Sequence, residues 1–166
     1  MKKNMVKRLL AALVGAAMVL SLTACGGKTD NQGGADGADA QASAALTEEE
    51  YQQAAENLAT ELAAIQTEVS KLDWNDTEAA KSALEELKKP LNNFMLVTPP
   101  TSYEAGHEKM KSGCQALIDF VDVTISIVGE TDQAKLEAGS VRMQELIAAS
   151  VNDMAEGAAL LEQATK

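Results

Sequence analysis

Apolar residues return at alternating steps of four and three along most of the chain beyond residue 45. Tyr51, Ala55, Leu58, Leu62, Ile65, Val69 and Leu72 form one such seam, the spacing of a helix that buries a single stripe in an antiparallel bundle or coiled coil. Thr47 and Glu50 supply a T-x-x-E capping box ahead of it, with Leu46 placed as a hydrophobic staple. Asp73-Trp74-Asn75-Asp76 ends the run. Asn75 and Glu78 then offer a second capping arrangement, and Ala80, Leu84, Leu87, Leu91 and Phe94 repeat the seam. Pro90 falls inside this second helix, where it removes a donor and clashes with the carbonyl four residues back. A kink or break is expected near Lys88 to Lys89, with the seam still in phase across it.

Thr98-Pro99-Pro100 closes the second element, and Thr101 with Glu104 makes a capping box for a third helix. Its seam is Tyr103, His107, Met110, Cys114, Leu117, Val121, Thr124 and Val128. Val121 to Val128 is β-branched and also alternates, as a strand would. No second strand-like run exists to pair with it, so the helix is expected to continue. Two further apolar strips, Ile118 with Ile125 and Phe120 with Ile127, must be covered by neighbouring helices or by a partner, with burial by neighbours the expected solution. Gly129-Glu130-Thr131 turns the chain into a last helix with a weaker seam of Leu136, Ser140, Met143, Ile147, Ser150, Met154 and Leu161. Gly139 and Gly157 each lower its helix propensity by roughly 1 kcal/mol relative to Ala, while their size permits close packing. Four helices joined by short turns predict an all-α fold, an antiparallel up-down-up-down four-helix bundle spanning residues 46–166.

The pattern before residue 46 is of a different kind. Lys2, Lys3, Lys7 and Arg8 form a positive start, followed by 14 uncharged residues from Leu9 to Leu22, the layout of a secretory signal. The run is too short for a span, which takes about 20 apolar residues. Leu22-Thr23-Ala24-Cys25 at its end resembles the lipobox of bacterial lipoproteins. That resemblance implies a signal peptide over 1–24, cleavage between Ala24 and Cys25, and a diacylglyceryl thioether on Cys25 as the membrane anchor. Two acyl chains anchor stably where one binds only marginally. The mature chain is then expected on the extracytoplasmic face of the cell membrane. The rest of 25–45 is a Gly/Asp/Ala segment unable to bury a core, a tether with an r.m.s. span of roughly 25 Å. The stretch Pro99-Pro100-x-x-Tyr103-x-x-x-His107-x-x-Met110 is similar to small Ala- and Glu-rich helical lipoproteins of Gram-positive bacteria, over residues 85 to 128. That likeness transfers no catalytic residue.

Charge changes the picture of partners. The chain has 14 Lys+Arg against 25 Asp+Glu; losing four basic residues with the signal leaves ten against 25, a formal −15. Such a surface repels nucleic acid and anionic headgroups alike, which leaves the lipid anchor and an unidentified envelope protein as the expected partners, and a monomer as the expected state. Cys114 is the one cysteine besides Cys25, so no intramolecular disulfide framework is expected once Cys25 is lipidated.

Candidate chemistry is sparse. His107 is the sole histidine, and Cys114 stands about two turns, roughly 10 Å, further along the same helix, too far for a bonded pair. No convergent polar set suggests catalysis, and no cofactor is expected. Glu104-x-x-His107 has the spacing of di-iron bundles, which require a second histidine-bearing motif. His107, Met110 and Cys114, with Met143 or Met154 opposite, would suit a soft metal such as copper(I). These are also seam positions, where Met fills gaps and a free Cys is buried as a small hydrophobe. The expectation is therefore a non-catalytic binding or scaffold bundle, with metal handling as the alternative.

Overall fold

The computed structural model describes residues 45–164. The leader, the Leu22-Thr23-Ala24-Cys25 motif and the Gly/Asp/Ala segment up to Ala44 lie outside the described residues, as does Lys166. Among the described residues every regular element is helical: α1 (Glu48–Lys71), α2 (Thr77–Glu86), α3 (Lys88–Met95), a 3₁₀ turn (Thr101–Tyr103), α4 (Glu104–Ile127) and α5 (Gln133–Ala164).

The expected capping box opens α1. The Glu50 N–H donates to Thr47 Oγ1, and the Thr47 N–H donates back to the Glu50 carboxylate at 2.8 Å. Three glutamates in its first turn and Lys71 in its last complement the helix dipole. Leu46 packs against the core, and its N–H donates to the Thr98 carbonyl at 2.9 Å, tying the chain entry to the loop after α3. The seam is unevenly covered: Tyr51, Ala55 and Leu58 are buried, whereas Leu62, Ile65, Val69 and Leu72 are half-buried.

Two expected caps are replaced by neighbours with better geometry. Asp76, not Asn75, caps α2, its carboxylate accepting from the Ala79 N–H at 3.0 Å. Asn75 is held instead on the Asp73 carboxylate by its backbone and side-chain N–H groups. The Thr101–Glu104 box does not form either. The Tyr103 N–H donates to the Pro100 carbonyl, closing a 3₁₀ turn that runs directly into α4 without a side-chain cap.

Pro90 breaks the second predicted helix, and the break falls at Leu87. Pro90 becomes the third residue of α3, where a backbone N–H has no intrahelical acceptor and the missing donor costs nothing. Leu87 keeps right-handed helical angles (φ −66, ψ −18), so little phase is lost. Leu84, Leu91 and Phe94 are buried on one side of the two helices. Lys88, just past the break, bridges Glu85 and, across on α4, Asp122 at 2.7 Å.

From Glu104 to Ile127, α4 is continuous, so the β-branched stretch is helical up to its cap at Val128. Thr124 satisfies its buried hydroxyl on the Phe120 carbonyl. Gly129 then takes φ +82, a conformation L side chains rarely adopt. Asp132 starts α5 by accepting from the Ala134 and Lys135 N–H groups. Helices α4 and α5 pack along their length as an antiparallel hairpin. A Cβ on Gly106 would meet Leu161, one on Gly113 would meet Met154, and one on Gly139 would meet Ile127. The residue numbers fall on one helix as they rise on the other.

The stripe that α5 buries differs from the expected seam. Met143, Ser150, Met154 and Leu161 are buried as expected, but Leu136, Ser140 and Ile147 are only half-buried, and Gly139, Leu146 and Gly157 take the inner places. The helix turns its smallest residues toward α4, because only they allow so close an approach. Of the two extra strips on α4, Ile118, Phe120 and Ile127 are buried by neighbouring helices and Ile125 is half-buried. No helix among the described residues is long and apolar enough to cross a membrane.

Candidate functional site

Buried polar side chains are few among the described residues: His107, Thr124 and Ser150. His107 joins separate elements. It projects from the first turns of α4 into a pocket of rings: Tyr51 from α1, Phe94 from α3 and Tyr103 from the 3₁₀ turn. Tyr51 stacks on Tyr103 with centroids 5.3 Å apart and meets His107 edge-on at 5.5 Å; Phe94 lies 5.3 Å from the imidazole. Edge and offset contacts of this kind suit the quadrupoles of aromatic rings.

The hydrogen-bond partners of the imidazole suit its neutral form. Tyr51 Oη lies 3.0 Å from His107 Nδ1, and the ring also hydrogen-bonds the backbone of Val97, in the sense that favours a ring N–H. A neutral imidazole with its proton on the nitrogen away from Tyr51 satisfies both groups, Nδ1 accepting from the Tyr51 hydroxyl and the ring N–H facing the Val97 backbone. Burial holds the His107 pKa below its usual 6.5, aided by the nearby Lys111 charge and opposed by Glu108 and the Val97 bond. The Tyr51 phenol is pushed upward, chiefly by burial. Alongside, Gln52 Nε2 donates to Tyr103 Oη at 3.0 Å. Every buried side-chain nitrogen and oxygen among the described residues has a partner.

The three residues considered for a soft metal all sit in this junction. His107 is 2 % exposed, Met110 3 % and Cys114 0 %. Both imidazole nitrogens are engaged with protein groups, so a cation at His107 would have to displace Tyr51 or Val97. Burial pushes the Cys114 thiol up to about 12, which keeps it protonated and a poor ligand at neutral pH. Met143 and Met154 are buried on α5, with Met143 in the other cluster of the core. No group of three or more His, Cys, Asp or Glu side chains among the described residues is arranged to hold a metal ion. Glu104, three residues before His107, is exposed.

The sequence pattern identifies Tyr51 as a seam residue but not as the partner of His107, 56 positions away. One signal for it was present. A tyrosine at a buried seam position needs a partner for its hydroxyl, and a lone histidine on another seam is the obvious acceptor. The outer surface carries charge in pairs, some between helices, such as Lys109 of α4 with Glu156 of α5 at 2.8 Å, and some within a turn, such as Arg142 with Glu145 at 3.2 Å. Among the described residues, Leu96 and Val141 are the large hydrophobic side chains exposed on it. No protein-family model, curated protein or solved structure matches the chain.

Proposed function

We propose that the chain is an extracytoplasmic lipoprotein, cleaved between Ala24 and Cys25, anchored by a diacylglyceryl group on Cys25 and presenting an acidic, non-catalytic helical domain as a binding or scaffold module at the cell envelope. The observation that carries this reading is the placement of Leu22-Thr23-Ala24-Cys25 directly after a basic and apolar leader. The domain that follows is read as an up-down-up-down four-helix bundle, with α2 and α3 as one broken helix and the α4–α5 hairpin as its most tightly packed half.

Two features support a binding role over catalysis. The reactive side chains that the described residues offer, His107 and Cys114, are sealed in the core and satisfied there, whereas a catalytic base or nucleophile must reach its substrate. The formal charge of the mature chain favours cationic protein partners over nucleic acid or bare anionic lipid. The soft-metal alternative requires His107 to surrender a hydrogen bond, so no metal is assigned to it.

Replacing Cys25 with Ser tests the anchor. Labelled fatty acid should no longer be incorporated, and the protein should leave the membrane fraction; unchanged labelling and fractionation in the variant would end this reading. Cross-linking on intact cells with the wild-type chain then identifies what the domain touches.

A further inference from the structure

We propose that the Tyr51–His107 contact is an acid-operated latch that holds α1 against the α4–α5 hairpin and releases it when His107 takes up a proton. The geometry supplies the mechanism. The closed state is the neutral tautomer in which Nδ1 accepts from the Tyr51 hydroxyl, 3.0 Å away. A proton on Nδ1 puts two donors face to face. The hydroxyl must then turn its own proton away, among the rings of Phe94 and Tyr103, where no second acceptor for it lies among the described residues. A buried donor left without an acceptor is unfavourable, and opening the contact to water relieves it.

The surroundings offer the new charge little help. On the same helix, Lys111 opposes it and Glu108 favours it, and these two are ion-paired with each other at 3.0 Å. Cys114, also on α4, is a neutral thiol. The facing elements bring Tyr51 and the neutral Gln52 from α1, Phe94 from α3, the Val97 backbone from the loop and Tyr103 from the 3₁₀ turn. From α5, the same cluster receives Met154 and Leu161. Opening therefore favours the protonated ring, and acid favours opening.

The cost falls on α1 because the remaining contacts are unequal. Among the described side chains of α1 only Tyr51, Ala55 and Leu58 are buried, and the helix lies chiefly along α3 rather than along the hairpin, so its hold on α4 is thin. The α4–α5 hairpin is closed by glycine contacts at Gly106, Gly113, Gly139 and Gly157, which involve no titratable side chain, and its carboxylates Asp153 and Glu156 pair with Lys109 on the surface rather than in the buried seam. A local opening that spares the hairpin is the expected response, in the manner of cooperative sub-global units. It would uncover the apolar seam of α1 and the face of α4 carrying Met110 and Cys114.

This proposal does not depend on the lipid anchor. Its test is hydrogen exchange on the untagged full chain at pH 7.5 and pH 5, corrected for the pH dependence of chemical exchange. Protection in α1 should fall by up to about thirtyfold relative to α4 and α5, since one linked proton gives at most about tenfold per pH unit below 6.5. A uniform loss over all helices, or α1 protection that ignores pH, would overturn it. In His107→Gln the pH dependence of α1 should vanish; if it persists, another group is the trigger and the proposal fails. Should that variant not fold, the single imidazole of the wild-type chain gives an unambiguous proton resonance. Its midpoint should lie below 6.5, and a midpoint at or above 6.5 is equally fatal.

Discussion

Gly157 and Gly106 face each other across the α4–α5 hairpin so closely that a Cβ on Gly157 would stand 3.0 Å from the Gly106 carbonyl oxygen. The Met110 backbone nitrogen lies at the same distance from that point. Backbone on both sides cannot yield as a side chain can. Gly157→Ala should therefore lose about 1 to 2 kcal/mol, overpacking outweighing the gain in helix propensity. Gly139 meets only the Ile127 side chain, so Gly139→Ala should lose less. Urea unfolding of both variants decides it; equal effects, or a stabilised Gly157→Ala, would refute the backbone argument.

Tyr51→Phe keeps the ring stack on Tyr103 but leaves His107 Nδ1 without a donor. An unsatisfied buried acceptor costs about 1 to 3 kcal/mol. The expected loss at pH 7.5 lies in that range, read from the shift in the unfolding midpoint at constant slope. An unchanged midpoint would mean that the hydroxyl contributes nothing.

Stability against pH should fall in two separate windows. The folded state holds the His107 pKa below 6.5, so the unfolded chain binds more protons there. Stability is full above 6.5, declines as the pH drops below it, and levels off once the folded-state pKa is passed. Glu130 behaves as a depressed acid. Its carboxylate accepts from the Asp132 N–H, pairs with Lys135 and accepts from the Thr131 N–H, which lowers its pKa to about 2. Its contribution is complete above 4.5 and lost as the pH falls through about 2. Thermal melts from pH 8 to 2 should show both declines. His107→Gln should erase the first alone and Glu130→Gln should reduce the second alone.

Cys114 should be unreactive in the native protein. It is fully buried, and its thiol is pushed up to about 12, while the thiolate is the nucleophile. In a chain whose Cys25 is replaced, a thiol reagent at pH 7.5 should label Cys114 only at the rate of opening, and rapidly in denaturant. Fast stoichiometric labelling without denaturant would contradict the burial.

The parts of this fold that were legible in the sequence are those set by local pattern. The seam of α4 from Tyr103 to Thr124 is buried throughout, because a helix with a steady 3.6-residue period turns the same stripe inward along its length. Thr47 with Glu50 caps α1 as their spacing suggests, since the box closes within one turn. What the pattern missed depended on tertiary choice. Asn75 and Asp76 are both competent caps, and the Asp73 carboxylate drew Asn75 away. The inner face of α5 follows the nearest approach of α4, so Gly139 and Gly157, whose size permits close packing, take inner places that the seam through Leu136, Ser140 and Ile147 does not include. The His107 junction was half visible. Its histidine stands out by being alone, while its partner reads as one more apolar position on another helix.

The hydrogen bond from the Leu46 N–H to the Thr98 carbonyl has a mechanical side. A pull applied to the chain at residue 45 reaches this bond first, then the Thr47–Glu50 box, then Tyr51 in its ring cluster. The load enters α1 at the end where its seam is buried, while the half-buried seam from Leu62 to Leu72 lies downstream of the force. A helix gripped most firmly beside its point of traction resists being peeled away, and at neutral pH the strongest grip on α1 is also the one nearest the strain.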